Sequence, residues 1–208
     1  ASNLPEAEQN SIQRHTTKQP RKLRIVLAAR IAPMKNTIAA IRMASKLPGI
    51  VELDLWGPLE DKEYWQACQQ QISLSPPSLK VRYRGEVEHE KLNALLQEYD
   101  VMLMPTLGEN FGHAIIEALD AGLPVVISDR TPWRNLEQSG VGADLPLEDE
   151  AAFLRVLAKY QAMDEPDMTV VRDACRRYVV AWRANNTNLN DYHKMFDSVI
   201  ESRQVLCK

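Results

Sequence analysis

PTLGENFGHAIIEALDAGLPVVISDRTP, residues 105–132, is the stretch on which the fold turns. Just before it, DVMLMP (100–105) reads as a buried strand that ends at Pro105. The glycine-containing loop GENFG (108–112) comes next, then a helix over 112–122. Gly122 closes that helix, because a residue with no Cβ adopts the left-handed C′ conformation without penalty. LPVVIS (123–128) is a second buried strand. Apolar strands that show no alternation, joined through helices, belong to parallel sheets covered on both faces.

The same rhythm runs outward in both directions. Upstream, LRIVLAA (23–29), IVELDLWG (50–57) and LKVRYRG (79–85) read as strands. Helical patterns cover about 37–47, 60–72 and 88–99, with Asn36 as the expected side-chain cap of the first. Downstream, a shorter strand is expected near 143–146, then helices over about 149–161, 167–184 and 187–205. The fold class is therefore α/β: a Rossmann-like, doubly wound parallel sheet with helices on both faces and a helical C-terminus. In such sheets ligands sit beyond the carboxyl ends of the strands, at the point where strand order reverses. That rule selects the loops at 30–36, 57–60, 85–88, 105–112 and 128–134.

Composition narrows the function classes. The 208 residues carry 25 Lys+Arg against 28 Asp+Glu, a net charge of −3, so a globally basic nucleic-acid binder is excluded. Cys68, Cys175 and Cys207 are far apart and form no CxxC pair, which argues against a zinc site or a disulfide framework and fits a reducing, cytoplasmic setting. No apolar run approaches the ~20 residues needed to span a bilayer. Asp54, Asp100, Asp120 and Asp129 make no D-x-D metal motif. Residues 1–21 are polar and read as a linker or remnant; Arg14, His15, Lys18, Arg21, Lys22 and Arg24 form a basic cluster expected to be solvated. His89 and His193 are likewise expected in solvent, and Cys68 and Cys175 in the packing of helices.

The loop of the opening stretch carries the chemistry. A helix start offers unpaired N–H groups and a positive dipole end, an anion site. Gly112 allows close approach of a ligand to the backbone there. Glu109 stands before the helix and accepts hydrogen bonds from hydroxyls. Glu117 lies eight residues on, ~12 Å along a helix at 1.5 Å per residue. Two acceptors flanking a phosphate-binding helix start suit a long ligand with hydroxyls at both ends and a diphosphate in the middle, the layout of a nucleotide sugar.

Glu109-x7-Glu117, embedded in ENFGHAIIEALDAGLPVV, resembles the E-F-G-x-x-x-x-E-A-x-x-x-G-x-P-V signature of retaining glycosyltransferases of the GT-B fold (group 1, family 4). LRIVLAARIAPMKN is similar to that family's first strand and phosphate loop, with Arg30 and Lys35 at its two basic positions; Ala29 and Asn36 depart from its usual glycines. VELDLWGP, VRYRGEV and the Trp182…Tyr192 spacing also resemble family segments, so the likeness spans roughly residues 22–200.

The resemblance implies roles. Arg30 and Lys35 would neutralise the departing diphosphate without a metal or other cofactor. Glu109 would bind the donor sugar. Asn110, Phe111, Gly112 and His113 would border sugar and phosphate, with backbone amides from Phe111 and Gly112. Glu117 would hold the ribose, and Gly57, Gly85 and Val87 would border the base. Pro132 and Trp133 are read as a wall of the base or phosphate site. GT-B enzymes have two Rossmann-like domains. Residues 22–208 would be the donor-binding one, and the N-terminal acceptor domain would be absent. The isolated chain would then bind a nucleotide sugar without transferring it. The acceptor would be a glycan or lipid-linked molecule, in bacterial surface-polysaccharide or lipopolysaccharide assembly. Contact with the inner face of a membrane, if any, would belong to the missing half. A nucleotide-sugar epimerase, a phosphorylase or a non-catalytic nucleotide-binding module are the competing readings.

Overall fold

The computed structural model describes residues 17–185. The tail before residue 17, the expected helix over 187–205, and Tyr192, His193 and Cys207 lie outside the described residues. In chain order the elements are β1 (Lys22–Ala28), α1 (Thr37–Ser45), β2 (Ile50–Trp56), α2 (Lys62–Ser73), β3 (Leu79–Gly85), α3 (His89–Leu96), β4 (Val101–Met104), α4 (His113–Asp120), β5 (Val125–Ser128), β6 (Gly142–Leu145), α5 (Glu150–Ala162) and α6 (Glu165–Asn185). A single 3-10 turn, Pro33–Lys35, precedes α1.

All six strands are parallel and ordered β3-β2-β1-β4-β5-β6. The order reverses between β1 and β4, which places the switch point beside the loops that follow those two strands. VMLM and VVIS are buried at every position, as strands sandwiched between two helical layers must be. Leu23, Ile25 and Leu27 join Leu53, Leu103 and Phe153 in one apolar layer, under α1, α2 and α5. Val26, Met102, Met104 and Ile127 face the other way, into a layer with Ile115, Leu119 and Val179 under α3, α4 and α6. Met168, Arg172, Cys175 and Val179 make the buried stripe of α6 at helical spacing.

Two charged residues of the expected solvated cluster are buried instead. Lys18 is 3% exposed; its Nζ reaches the carbonyls of Gln19 (2.8 Å), Lys22 (2.6 Å) and Gln161 (3.3 Å). Arg24, on β1, is clamped by Asp100. Lys18 thus ties the segment just ahead of β1 to the end of α5.

Candidate functional site

Helix starts divide into two groups. Asp61, Asp149 and Asp164 accept hydrogen bonds from the first-turn amides of Tyr64, Ala152 and Asp167, capping α2, α5 and α6. The helices that flank the switch point, α1 and α4, have no side-chain cap, and neither has α3. Asn36 is the N-cap residue of α1, but its φ of 52° is left-handed and its amide turns away from the helix. Asn36 Nδ2 donates to the Pro105 carbonyl at 2.9 Å instead, so the expected cap is a stitch between two loops. Gly112 starts α4 with φ 82° and ψ 53°. A Cβ there would sit 2.7 Å from Ile115 Cδ1 as well as in a strained backbone region.

Further bonds fasten these loops. Leu107 N donates to the Met34 carbonyl at 2.8 Å, and Thr106 Oγ1 lies 2.9 Å from the same oxygen. Ser128 Oγ donates to the Thr106 carbonyl at 2.6 Å, and Glu109 N to the Arg130 carbonyl at 2.9 Å. The loops after β1, β4 and β5 therefore form one hydrogen-bonded platform at the switch point.

On that platform Lys35 Nζ meets Glu109 Oε2 at 2.5 Å, joining the second basic position to the first acidic one across 74 residues. Burial pushes the Glu109 carboxyl up, but the Lys35 ammonium and the Phe111 and Asn110 amides outweigh it and hold the carboxyl below its ordinary 4.5. Arg30 is turned elsewhere. It is half exposed and pairs with Glu60. The rings of Phe111 and His113 are 4.5 Å apart at the start of α4.

Glu117 is the fifth residue of α4, little more than one turn in because Glu109 lies in the loop rather than on the helix, and it stands 3.5 Å from His89 Nδ1 at the start of α3. Burial raises its carboxyl above the ordinary value, with His89 and His113 opposing. It lines a groove of about 400 Å³ between α3, α4 and α6, with His89, Asn93, His113, Asp120 and Trp182. His89 remains in solvent, as expected, but beside Glu117. Gly57 and Gly85 meet each other: Gly57 N donates to the Gly85 carbonyl at 2.8 Å. Gly57 must be glycine, because a Cβ would lie 2.2 Å from the Ala29 carbonyl oxygen where the two loops cross. Val87 follows, half-buried.

The family profile of glycosyl transferases group 1 matches residues 8–166, more than half of the chain. The chain belongs to this family. Among similar group 1 proteins, the phosphatidyl-myo-inositol mannosyltransferase of Mycobacterium leprae (strain TN) is 34% identical over 103 residues, 47% of this chain and 28% of the relative. The GtfA subunit of the UDP-N-acetylglucosamine–peptide N-acetylglucosaminyltransferase of Streptococcus agalactiae is 23% identical over 202 residues, 90% of this chain and 37% of the relative. The chain thus matches between about a fifth and two fifths of the length of its curated relatives. The same fold occurs in Anabaena Alr3699/HepE in complex with UDP and glucose, with a TM-score of 0.67 and 17% identity over 84% of this chain and 49% of that one. It occurs also in S. aureus TarM, crystallised with UDP among its ligands, with a TM-score of 0.68 and 14% identity over 89% of this chain and 38% of that one. The group 1 fold class read from the sequence, a doubly wound Rossmann-like sheet, is the one observed.

Sequence reasoning missed several residues that build the platform. Thr106 and Ser128 are small polar residues at the ends of buried strands, a position that signals a side chain needed by the loop beyond. The sequence suggests Trp133 as a wall of the site. It is 5% exposed, and its indole Nε1 donates to the Phe111 carbonyl at 2.7 Å from inside, while Pro132 is exposed. Among the described residues no helix is long and apolar enough to cross a membrane.

Proposed function

We propose that this chain is the donor-binding half of a retaining, metal-independent glycosyltransferase, holding a nucleotide diphosphate sugar for transfer to a glycan or lipid-linked acceptor. The observation that carries this reading is the Lys35–Glu109 pair, set at the uncapped start of α4 on the switch-point side of the sheet. A cation, a helix dipole and a carboxylate there match a leaving diphosphate and a sugar.

The donor enters by exchange of partners. Its diphosphate takes Lys35, and Arg30 swings from Glu60 to the same charge. Two cations in a half-desolvated loop stabilise the negative charge that grows as the anomeric C–O bond breaks. Glu109, released from Lys35, accepts hydrogen bonds from sugar hydroxyls. Asn110, Phe111, Gly112 and His113 border sugar and phosphate, and Glu117 binds the ribose diol at the mouth of the groove. Gly57, Gly85 and Val87 flank the base. The acceptor falls to a second, N-terminal domain of the family's kind, as does any contact with the inner membrane face, so the donor domain by itself binds donor without transferring sugar. The UDP held by two structural neighbours makes UDP the first nucleotide to try.

A thermal-shift panel of UDP-, GDP- and ADP-sugars is the test. A ligand that binds only the native state, at about 100 times its Kd, adds roughly 2.7 kcal/mol. One of the three raises the melting temperature, and Lys35→Met and Glu109→Gln abolish the rise. No response to any of them, or a rise that survives both substitutions, overturns the reading. So does sugar transfer by the purified chain.

A further inference from the structure

The peptide between Phe111 and Gly112 is held on one side only. The Phe111 carbonyl is taken by the Trp133 indole at 2.7 Å, from the buried side of the loop. A trans peptide is planar, with C=O and N–H pointing in opposite directions. Fixing that carbonyl inward therefore turns the Gly112 N–H outward, away from the indole. Gly112 is itself buried, and no described residue accepts its N–H. Buried backbone N–H groups without a partner are rare and costly, so this donor needs an explanation.

Trp133 is anchored well enough to impose that orientation. Its ring stacks on Trp182 of α6, centroids 5.4 Å apart and planes inclined by 29°, with Tyr178 at 6.5 Å. Its backbone N–H reaches Thr131 Oγ1 at 3.2 Å. The Arg134 guanidinium binds the carbonyls of Trp133 (2.7 Å), Asp129 (2.9 Å) and Thr131, which fixes the loop that carries the indole. A Cβ on Gly112 would lie 3.0 Å from Trp133 Nε1, so the indole is the floor on which the Gly112 backbone rests. The outward side carries the positive end of α4, close to the residue, Glu109, that Lys35 holds. An unpaired donor in that field favours an anionic oxygen over a neutral one.

We propose that Trp133 is a positioning residue: by holding the Phe111 carbonyl, it presents the Gly112 N–H to the diphosphate of a bound nucleotide sugar. This rests on the donor-binding reading above. Trp133 itself touches no substrate.

Phe111-Gly112 is the only Phe-Gly pair in the sequence. Labelling phenylalanine at the carbonyl carbon with ¹³C and glycine with ¹⁵N therefore gives one NMR signal, from this peptide alone. The ligands are the nucleoside diphosphate, of UDP, GDP and ADP, that stabilises the chain, and the matching nucleoside without phosphate. In the wild-type chain the Gly112 amide moves on saturation with the diphosphate and stays in place with the nucleoside. In Trp133→Phe, which keeps a stacking ring and removes the N–H, the Phe111 carbonyl signal shifts. Diphosphate affinity then falls roughly tenfold, the size of one hydrogen bond to a charged group. Nucleoside affinity does not change, whereas general damage to the loop weakens both. A wild-type Gly112 amide indifferent to the diphosphate overturns the proposal, as does a folded Trp133→Phe with unchanged diphosphate affinity. If that variant does not fold, the wild-type titration decides alone. If no nucleotide binds the wild-type chain, the donor-binding reading itself has failed, a result distinct from either of these.

Discussion

The two ends of the sheet use charge in opposite ways. At the amino ends of the strands the polar groups are saturated. Lys18 Nζ has three carbonyls for its three protons. Arg24 meets both oxygens of Asp100, at 2.7 and 3.2 Å, and its backbone N–H adds a third bond at 2.9 Å. Gln161 Nε2 spans the carbonyls of Arg21 and Pro48. At the carboxyl ends the groups are left incomplete. Lys35 holds one carboxylate, Arg30 pairs in solvent, and Gly112 N–H has no acceptor among the described residues. The carboxyl of Glu117 is half-buried, and among the described residues its ion-pair contact is with His89, 3.5 Å away. Saturated charges close a scaffold, whereas incomplete ones are, on the proposed donor-binding reading, poised to exchange partners with a ligand.

Arg24→Met gives the largest effect expected from this contrast. It strands the 1%-exposed Asp100 without its cation. Breaking a buried pair from one side costs about 3–5 kcal/mol, a large share of the stability of most domains. Urea denaturation reads this as a fall in midpoint with little change in slope. Replacing Arg24 and Asp100 together by apolar residues recovers much of the loss, since the net worth of such a pair is small. A single substitution costing under about 1 kcal/mol breaks the comparison, because the amino end is then no more committed than the carboxyl end.

Lys35→Met is the counterpart. Its side chain is 12% exposed and that of its partner 20%, against 1% for Asp100, so the pair is partly screened and its loss costs about 1–2 kcal/mol, less than that of Arg24. Nucleotide-sugar affinity falls by roughly 10–100-fold, because hydrogen bonds to a charged group carry about 1.5–3 kcal/mol. Denaturation and calorimetric titration of the same variant separate the two quantities. A variant that loses several kcal/mol of stability places Lys35 among the scaffold charges instead.

Much of this was legible in the sequence for a physical reason. Buried parallel strands such as VMLM and VVIS announce themselves by unbroken apolar runs, and Gly122 stops α4 where expected: its φ is 79° and the Arg176 guanidinium occupies the space a Cβ would need. The switch-point rule picks out, among others, the loops at 30–36, 105–112 and 128–134, which the structure joins by hydrogen bonds. Lys18 and Arg24 were not legible, because a lysine or arginine in a basic run looks the same whether it faces water or a ring of carbonyls. Their partners, Gln161 and Asp100, are 143 and 76 residues away. Asn36 has the composition of a cap, and only its left-handed backbone, which aims the amide at Pro105, says otherwise. Trp133 belongs to the same class, since an indole that serves a carbonyl 22 residues upstream leaves no local pattern.

The smallest effect is the one that sorts the two glutamates. Both lie on the incomplete end, yet their carboxyls move in opposite directions from 4.5. Burial raises Glu117, and neither His89 nor His113 compensates; Asp120 and Arg183 also line its groove. Folding therefore disfavours its ionised form, so its stability penalty appears as pH rises from 4.5 through the raised value, and disappears as pH falls back. Glu109 behaves in reverse. Its contribution with Lys35 is present above 4.5 and is lost only as pH falls through its lowered value. A ribose diol donates to a carboxylate, and a protonated Glu117 accepts less well. Nucleotide affinity measured on acidification accordingly falls in two steps. The first, a few-fold, belongs to Glu117 and lies above 4.5; the second belongs to Glu109 and lies below it. Glu117→Gln removes the upper step and leaves the lower one in place. A single step that persists unchanged in that variant would show that Glu117 is a groove residue rather than a nucleotide contact, and would narrow the exchangeable charges of the carboxyl end to Arg30, Lys35 and Glu109.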